Sequence, residues 1–80
     1  MRVRVFITPK QGVLDPQGKA IEHSLHALGF GEAREVHLGK YVELTLDGHD
    51  REQGRQRVDD MCRKLLANAV IEDYRFELEE

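Results

Sequence analysis

The first residues alternate: Val3, Val5 and Ile7 fall between Arg2, Arg4, Phe6 and Thr8, the period-two pattern of a strand buried on one face. Pro9 and Gly12 break that pattern. The stretch Val13-Leu14-Asp15-Pro16-Gln17-Gly18 then leads into a helix, with Asp15 as N-cap and Pro16 at the first helical position. Ile21, Leu25 and Leu28 recur at i, i+4 and i+7 and give this helix a narrow apolar stripe, with Lys19, Glu22, His23 and His26 opposite and Gly29 and Gly31 ending it. A second helix is predicted from Arg51 to Ala67, capped by Asp50, with Val58, Met61, Cys62 and Leu65 on one face and Asn68 closing it in the left-handed conformation. Val70 to Leu78 is the last strand, with Tyr74, Phe76 and Leu78 opposite Asp73, Arg75 and Glu77. Ile71 is out of phase with that set, which predicts a bulge near Glu72 and Asp73.

The segment between the helices carries the strongest pattern. Val36, Leu38, Val42, Leu44 and Leu46 all fall on even positions, and Lys40 alone breaks the row. A two-residue turn at Gly39-Lys40 would send Val36 and Leu38 to one side of the sheet and the later three to the other. A continuous strand, a strand kinked at Gly39 or a three-residue turn keeps all five together. As one strand, Val36 to Leu46 would run roughly 36 Å, longer than the ~30 Å width of a compact domain of this length. The overhang needs another chain to pair with, so the segment predicts a sheet shared across a homodimer.

The order is therefore β-α-β(long)-α-β, a two-layer α+β sandwich in which helices cover one face of a mixed sheet. Eighty residues make one domain, 1–80. A chain this short buries only about 60% of its unfolded surface, and the lone cysteine, Cys62, leaves no internal disulfide to support it. Association is the expected source of the missing burial. The net charge of -3 and the lack of a basic stripe argue against nucleic acid. No signal-peptide pattern opens the chain, and the longest near-apolar run, Leu65 to Ile71, is broken by Asn68, far short of the roughly 20 residues of a membrane span. One unpaired cysteine without an export signal predicts a reducing cytoplasm.

Candidate chemistry is sparse. His23 and His26 share a helical turn but lie on its polar side without further ligands, and His37 and His49 stand alone, so no metal site is expected. Cys62 lies in an apolar stripe and reads as a buried thiol. Glu77, Glu79 and Glu80 read as a solvated tail, and Arg51, Arg55 and Arg57 as a solvated face or a match for a partner's acidic patch. No catalytic constellation is complete. Two places suit partner contacts instead: Lys40 beside Gly39 and Tyr41, whose ammonium either turns outward or reaches past the core edge, and Tyr74-Arg75-Phe76, residue types enriched at interface hot spots.

Three stretches, Val13 to Gly18, Leu38-Gly39-Lys40-Tyr41-Val42-Glu43-Leu44 and Leu65 to Tyr74, together with their order and spacing, resemble the PurS family, the small subunit of phosphoribosylformylglycinamidine (FGAM) synthase. The likeness spans essentially the whole chain, with Asp47 to Arg57 its loosest part. The resemblance implies a fold related to the ferredoxin-like class and a role in de novo purine biosynthesis, where formylglycinamide ribonucleotide, ATP and glutamine become FGAM, ADP, phosphate and glutamate. It implies a non-catalytic subunit of this ATP-dependent ligase, with no catalytic, cofactor or metal residue of its own. PurS homodimers, alone or paired into tetramers, would join the PurQ glutaminase to the PurL synthetase, and PurL would use the ATP and Mg. On this reading Lys40, Tyr41, Tyr74 and Arg75 lie at contacts with PurL or PurQ, and Val36, Leu38, Val42, Leu44 and Leu46 form the dimer strand. The competing reading is a small ACT-like regulatory dimer that binds a ligand, toward which only Gly29-Phe30-Gly31 leans.

Overall fold

β1 (Arg2–Pro9) is the central strand in a computed structural model describing residues 1–80, pairing antiparallel with β2 (Lys40–Thr45) on one side and with β3 (Glu72–Glu79) on the other. Its alternation settles its place: Val3, Val5 and Ile7 are buried while Arg4 and Phe6 are half-buried on the other face. The sheet is antiparallel throughout, which corrects the mixed sheet expected from the sequence. The chain leaves β1 at Pro9 and returns to the same end, where Lys40 pairs with Ile7, so β2 has to run backwards. From the far end of β2, α2 (Arg51–Met61) carries the chain back over the sheet, and β3 begins opposite Pro9.

α2 starts with a full capping box, in which the Asp50 side chain accepts from the Gln53 amide and the Gln53 side chain accepts from the Asp50 amide. It continues into a π-helical turn, Cys62–Leu66. That wider turn corrects the expected apolar face. Val58 and Cys62 are buried, but Leu65 is 83% exposed and Leu66 and Ala67 pack inward in its place, because the extra residue per turn rotates the end of the stripe. The turn ends on Ala67 in extended conformation, and Asn68 has no positive φ. Asn68 closes the loop by hydrogen bonding instead: its Oδ1 accepts from the Val70 amide, and its carbonyl accepts from Ile71 and Glu72. β3 pairs with β1 in unbroken register from Glu72 to Glu79, so the bulge predicted near Glu72 and Asp73 is absent. Ile71 was out of phase because it lies in the turn. Glu77 and Glu79 belong to β3 rather than to a free tail.

The core is Val3, Val5, Ile7, Val58, Cys62 and Ala67, with Val42, Leu44, Leu46, Leu66, Tyr74, Phe76 and Leu78 packed around it. No residue of α1 (Pro16–Ala27) belongs to it. The helix forms as predicted, with Asp15 accepting from the Gly18 amide and Pro16 in the first turn. Its stripe is nevertheless uncovered, with Ile21 39% and Leu28 74% exposed. The expectation of two helices on the sheet therefore holds for α2 only. The molecule is 49 Å along its longest axis, with a radius of gyration of 15.9 Å, against about 12 Å for a compact domain of this length.

Candidate subunit-interaction surfaces

The long strand is realised in part. Only Lys40 to Thr45 pairs within the chain, and residues 36–39 have no strand partner. The three-residue hairpin fails because residues 36–39 form no strand to pair with β2, which pairs with β1 instead, and Gly39 also lacks the positive φ that a glycine opening a type II′ turn requires. The chain passes straight through Gly39, where a side chain would collide with the Ile7 carbonyl. Residues 36–38 bond instead to α1. The Val36 amide donates to Glu22 at 3.1 Å and the Leu38 amide to Asp15 at 3.0 Å, and His26 Nε2 donates to the Ala33 carbonyl at 2.6 Å. Bonds from the Gly18 and Leu38 amides hold the Asp15 carboxyl below its ordinary range, and the Val36 amide does the same for Glu22. Helix α1 and the returning segment thus form one pinned arm off the end of the sheet.

Main-chain direction along this segment follows from parity. Met1 and Leu46 exchange both hydrogen bonds, at 2.8 and 3.2 Å, so in this antiparallel register the even residues of β2 bond to β1. The amides of Val36 and Leu38 point the same way, toward α1. The N–H and C=O groups of His37, Gly39, Tyr41, Glu43 and Thr45 therefore face outward as one continuous open edge. Of the five residues expected in a dimer strand, Val42, Leu44 and Leu46 pack on the core of their own chain, while Val36 is half-buried and Leu38 is exposed.

The four residues expected at partner contacts do not share one surface. Tyr41 and Arg75 lie on the sheet face away from α2 and sandwich Phe6: the Tyr41 ring centroid is 5.1 Å from that of Phe6, and the Arg75 guanidinium is 4.0 Å above the Phe6 ring. Tyr41 also donates to Glu43 at 2.8 Å, and the carboxylate pushes the phenol up. Arg4 with Glu79 at 2.8 Å and Arg75 with Glu77 at 3.4 Å complete a charged platform around Phe6. In the sequence Phe6 reads only as an outward strand residue; its flanking by Tyr41 and Arg75 depends on pairings between distant segments.

Lys40 and Tyr74 point to the opposite face. Lys40 crosses the end of the core to reach Glu72 at 3.5 Å, the second of the two placements its pattern allowed, and Glu72 also accepts from the Asn68 amide. Tyr74 donates to Asp59 of α2, which pushes its phenol up. Arg63 holds Asp59 at 3.0 Å and Asp60 at 2.7 Å. Burial pushes the Cys62 thiol up, which keeps it a poor nucleophile. Gly29-Phe30-Gly31 is taken up in ending α1, with the Gly29 amide bonded to His26 and the Phe30 amide to Leu25. No three His, Cys, Asp or Glu side chains converge as a metal site, and no helix is long and apolar enough to cross a membrane.

What the molecule offers is surface: an open edge, an unburied arm and a charged platform. The family model for PurS, phosphoribosylformylglycinamidine (FGAM) synthase, matches residues 2–80. The PurS subunit of FGAM synthase from Bacillus subtilis (strain 168) is 51% identical over 79 residues, which cover 99% of this chain and 93% of that protein. The solved structure of B. subtilis PurS superposes with a TM-score of 0.86 at 51% identity, over 99% of this chain and 98% of the other. A chain in the structure of PurLQS from Thermotoga maritima also gives 0.86, at 26% identity over 95% and 93%. With the same fold and a match over nearly its whole length, the chain belongs to the PurS family of FGAM synthase subunits.

Proposed function

We propose that this subunit acts by joining, as a homodimer, the PurQ glutaminase to the PurL synthetase, so that ammonia released by one reaches the other without loss. The observation that carries the reading is the fold shared with a chain of PurLQS from Thermotoga maritima. The chain's own build supports it, since its exposed features are surfaces and its buried thiol is kept protonated. The chemistry makes a joining piece necessary. Ammonia released into neutral water is mostly protonated, and ammonium has no lone pair with which to attack an activated amide, so the two sites must be docked with water excluded. ATP and Mg belong to the PurL partner in this reading, and the assembly works in the cytoplasm, in keeping with the free thiol of Cys62.

The homodimer forms through the outward row of His37 to Thr45, with Val36 and Leu38 of each arm reaching the second copy. Lys40, Tyr41, Tyr74 and Arg75, exposed or half-buried on two faces, contact PurL or PurQ. The test is reconstitution with both partners. Adding the chain should raise glutamine-dependent FGAM formation, and alanine at Tyr74 and Arg75 together should lower that rate by about tenfold or more while ammonia-dependent synthesis by PurL persists. An unchanged glutamine-dependent rate would remove those two residues from the interface.

A further inference from the structure

The open edge of β2 has a centre. Along it the apolar row begins at Val36 and ends at Leu46, and the backbone bounds the row on both sides. Glu35 has a φ of 56° and Gly48 a φ of 78°, left-handed conformations through which no strand continues. Residues 36–39 form no strand within the chain, so their outward N–H and C=O groups are open to pairing. Leu38 and Tyr41 are 41% and 51% exposed on the two faces of this segment.

Two copies paired along this edge are related by a two-fold axis, so the strands run antiparallel and one residue lies opposite itself. The identity of that residue fixes every other pair. With Lys40 on the axis, two ammonium groups oppose one another, and Leu46 falls opposite residue 34, beyond the break at Glu35. With Val42 on the axis, Val36 falls opposite Gly48, where the second copy has left its strand. With Tyr41 on the axis the row closes on itself: Val36 opposes Leu46, Leu38 opposes Leu44 and Lys40 opposes Val42, and nothing overhangs. That register also aligns the other face of the sheet. Arg75, Phe6 and Tyr41 already lie in one line across the three strands, with the Phe6 and Tyr41 ring centroids 5.1 Å apart and the Arg75 guanidinium 4.0 Å above Phe6.

We propose that the two-fold axis of the homodimer passes between the two copies of Tyr41, joining the aromatic lines of both chains into one continuous band closed at each end by Arg75. Each Tyr41 amide donates to the Tyr41 carbonyl of the other copy. The opposed rings on one face and the matched apolar pairs on the other select this register over its neighbours. The proposal rests on the homodimer edge argued above and fixes its register, which sets the distance between the two arms.

The test is a dimer reassembled from isotope-labelled and unlabelled chains, read by filtered NMR for methyl contacts between copies. Within one chain Leu38 and Leu44 lie roughly 20 Å apart along the strand, so a contact between them has to cross the interface. Contacts of Leu38 with Leu44 and of Val36 with Leu46 are expected. Tyr41→Cys should close a disulfide between copies, because a hydrogen-bonded pair holds its Cα atoms about 5.5 Å apart, within the span of a disulfide. Glu43→Cys, whose two copies are offset by roughly 13 Å along the strands, should not. Native Cys62 is buried and does not compete. Leu38 contacts that are strongest to Val42 or to Leu46 of the second copy would overturn this register and keep the edge. A dimer in which Leu38 touches no residue of the second strand would overturn the edge as well and leave the joining role standing. A single chain at the concentration of the NMR sample would overturn the homodimer itself.

Discussion

At single positions, the close approaches between segments depend on the absence of a side chain. Gly39 lies where β2 begins, and a Cβ there would fall on the Ile7 carbonyl, a main-chain group held in the sheet and unable to swing aside. Gly54, in α2, is buried, but a Cβ there would meet the Met1 side chain, with Sδ at 2.9 Å, and a methionine end can swing aside. The two glycines predict opposite tolerance. Gly39→Ala should destabilise the fold by about 1–3 kcal/mol. Gly54→Ala should cost less than that or stabilise, because alanine gains about 1 kcal/mol over glycine inside a helix. Urea denaturation of the two variants beside the parent checks this; equal losses would show that the Gly39 approach is not a constraint.

Among the elements, the arm is held by charge rather than by packing. Asp15 and Glu22 bond the Leu38, Gly18 and Val36 amides as carboxylates, and both titrate below their ordinary values of 3.8 and 4.5. A carboxyl depressed by folding contributes stability that is full above its unfolded pKa and is lost as the pH falls through its folded one. The arm should therefore loosen as the pH drops below those ordinary values, while the sheet, held by apolar packing, persists. NMR shifts of the Val36 and Leu38 amides through an acid titration should report it, and Asp15→Asn with Glu22→Gln should flatten the response. The sequence gives the same division. Elements whose burial is local were legible in it: β1 from its alternation, the Asp15 and Asp50 caps, the phase of Val42 to Leu46, and Cys62 as a core residue. Features set by contacts across the sequence were not. The π-helical turn that trades Leu65 for Leu66 leaves no periodic signature, and the α1 stripe shows that an apolar face exists without showing what it covers. Asp15 was legible as a cap, but its hold on Leu38 was not, because that bond spans the whole arm.

For the whole molecule, the radius of gyration of 15.9 Å and the small set of fully buried side chains pose one question, which is what covers the rest. Leu14, Leu28, Leu65 and Val70 are each more than 70% exposed, and Leu38 and Ile21 are about 40% exposed, more apolar surface than a lone chain of this size can leave to water and still fold securely. Copies related by a two-fold axis and paired edge to edge along His37 to Thr45 would extend the sheet and bring each arm over the other chain. Because the outward amides are the odd ones, the pairing makes a specific demand: Tyr41→Pro removes a donor from the shared edge, whereas a proline at Val42 would instead remove a bond to β1 within the chain. In a two-fold dimer each such change counts twice, about 2 kcal/mol in all, or roughly a thirtyfold weaker association. Sedimentation of the parent should therefore show two chains at micromolar concentration, and Tyr41→Pro should shift it toward one chain while the far-ultraviolet signal of the sheet and α2 is kept. A parent that sediments as a single chain, or a Tyr41→Pro variant that dimerises as tightly as the parent, would place the missing burial somewhere other than this edge.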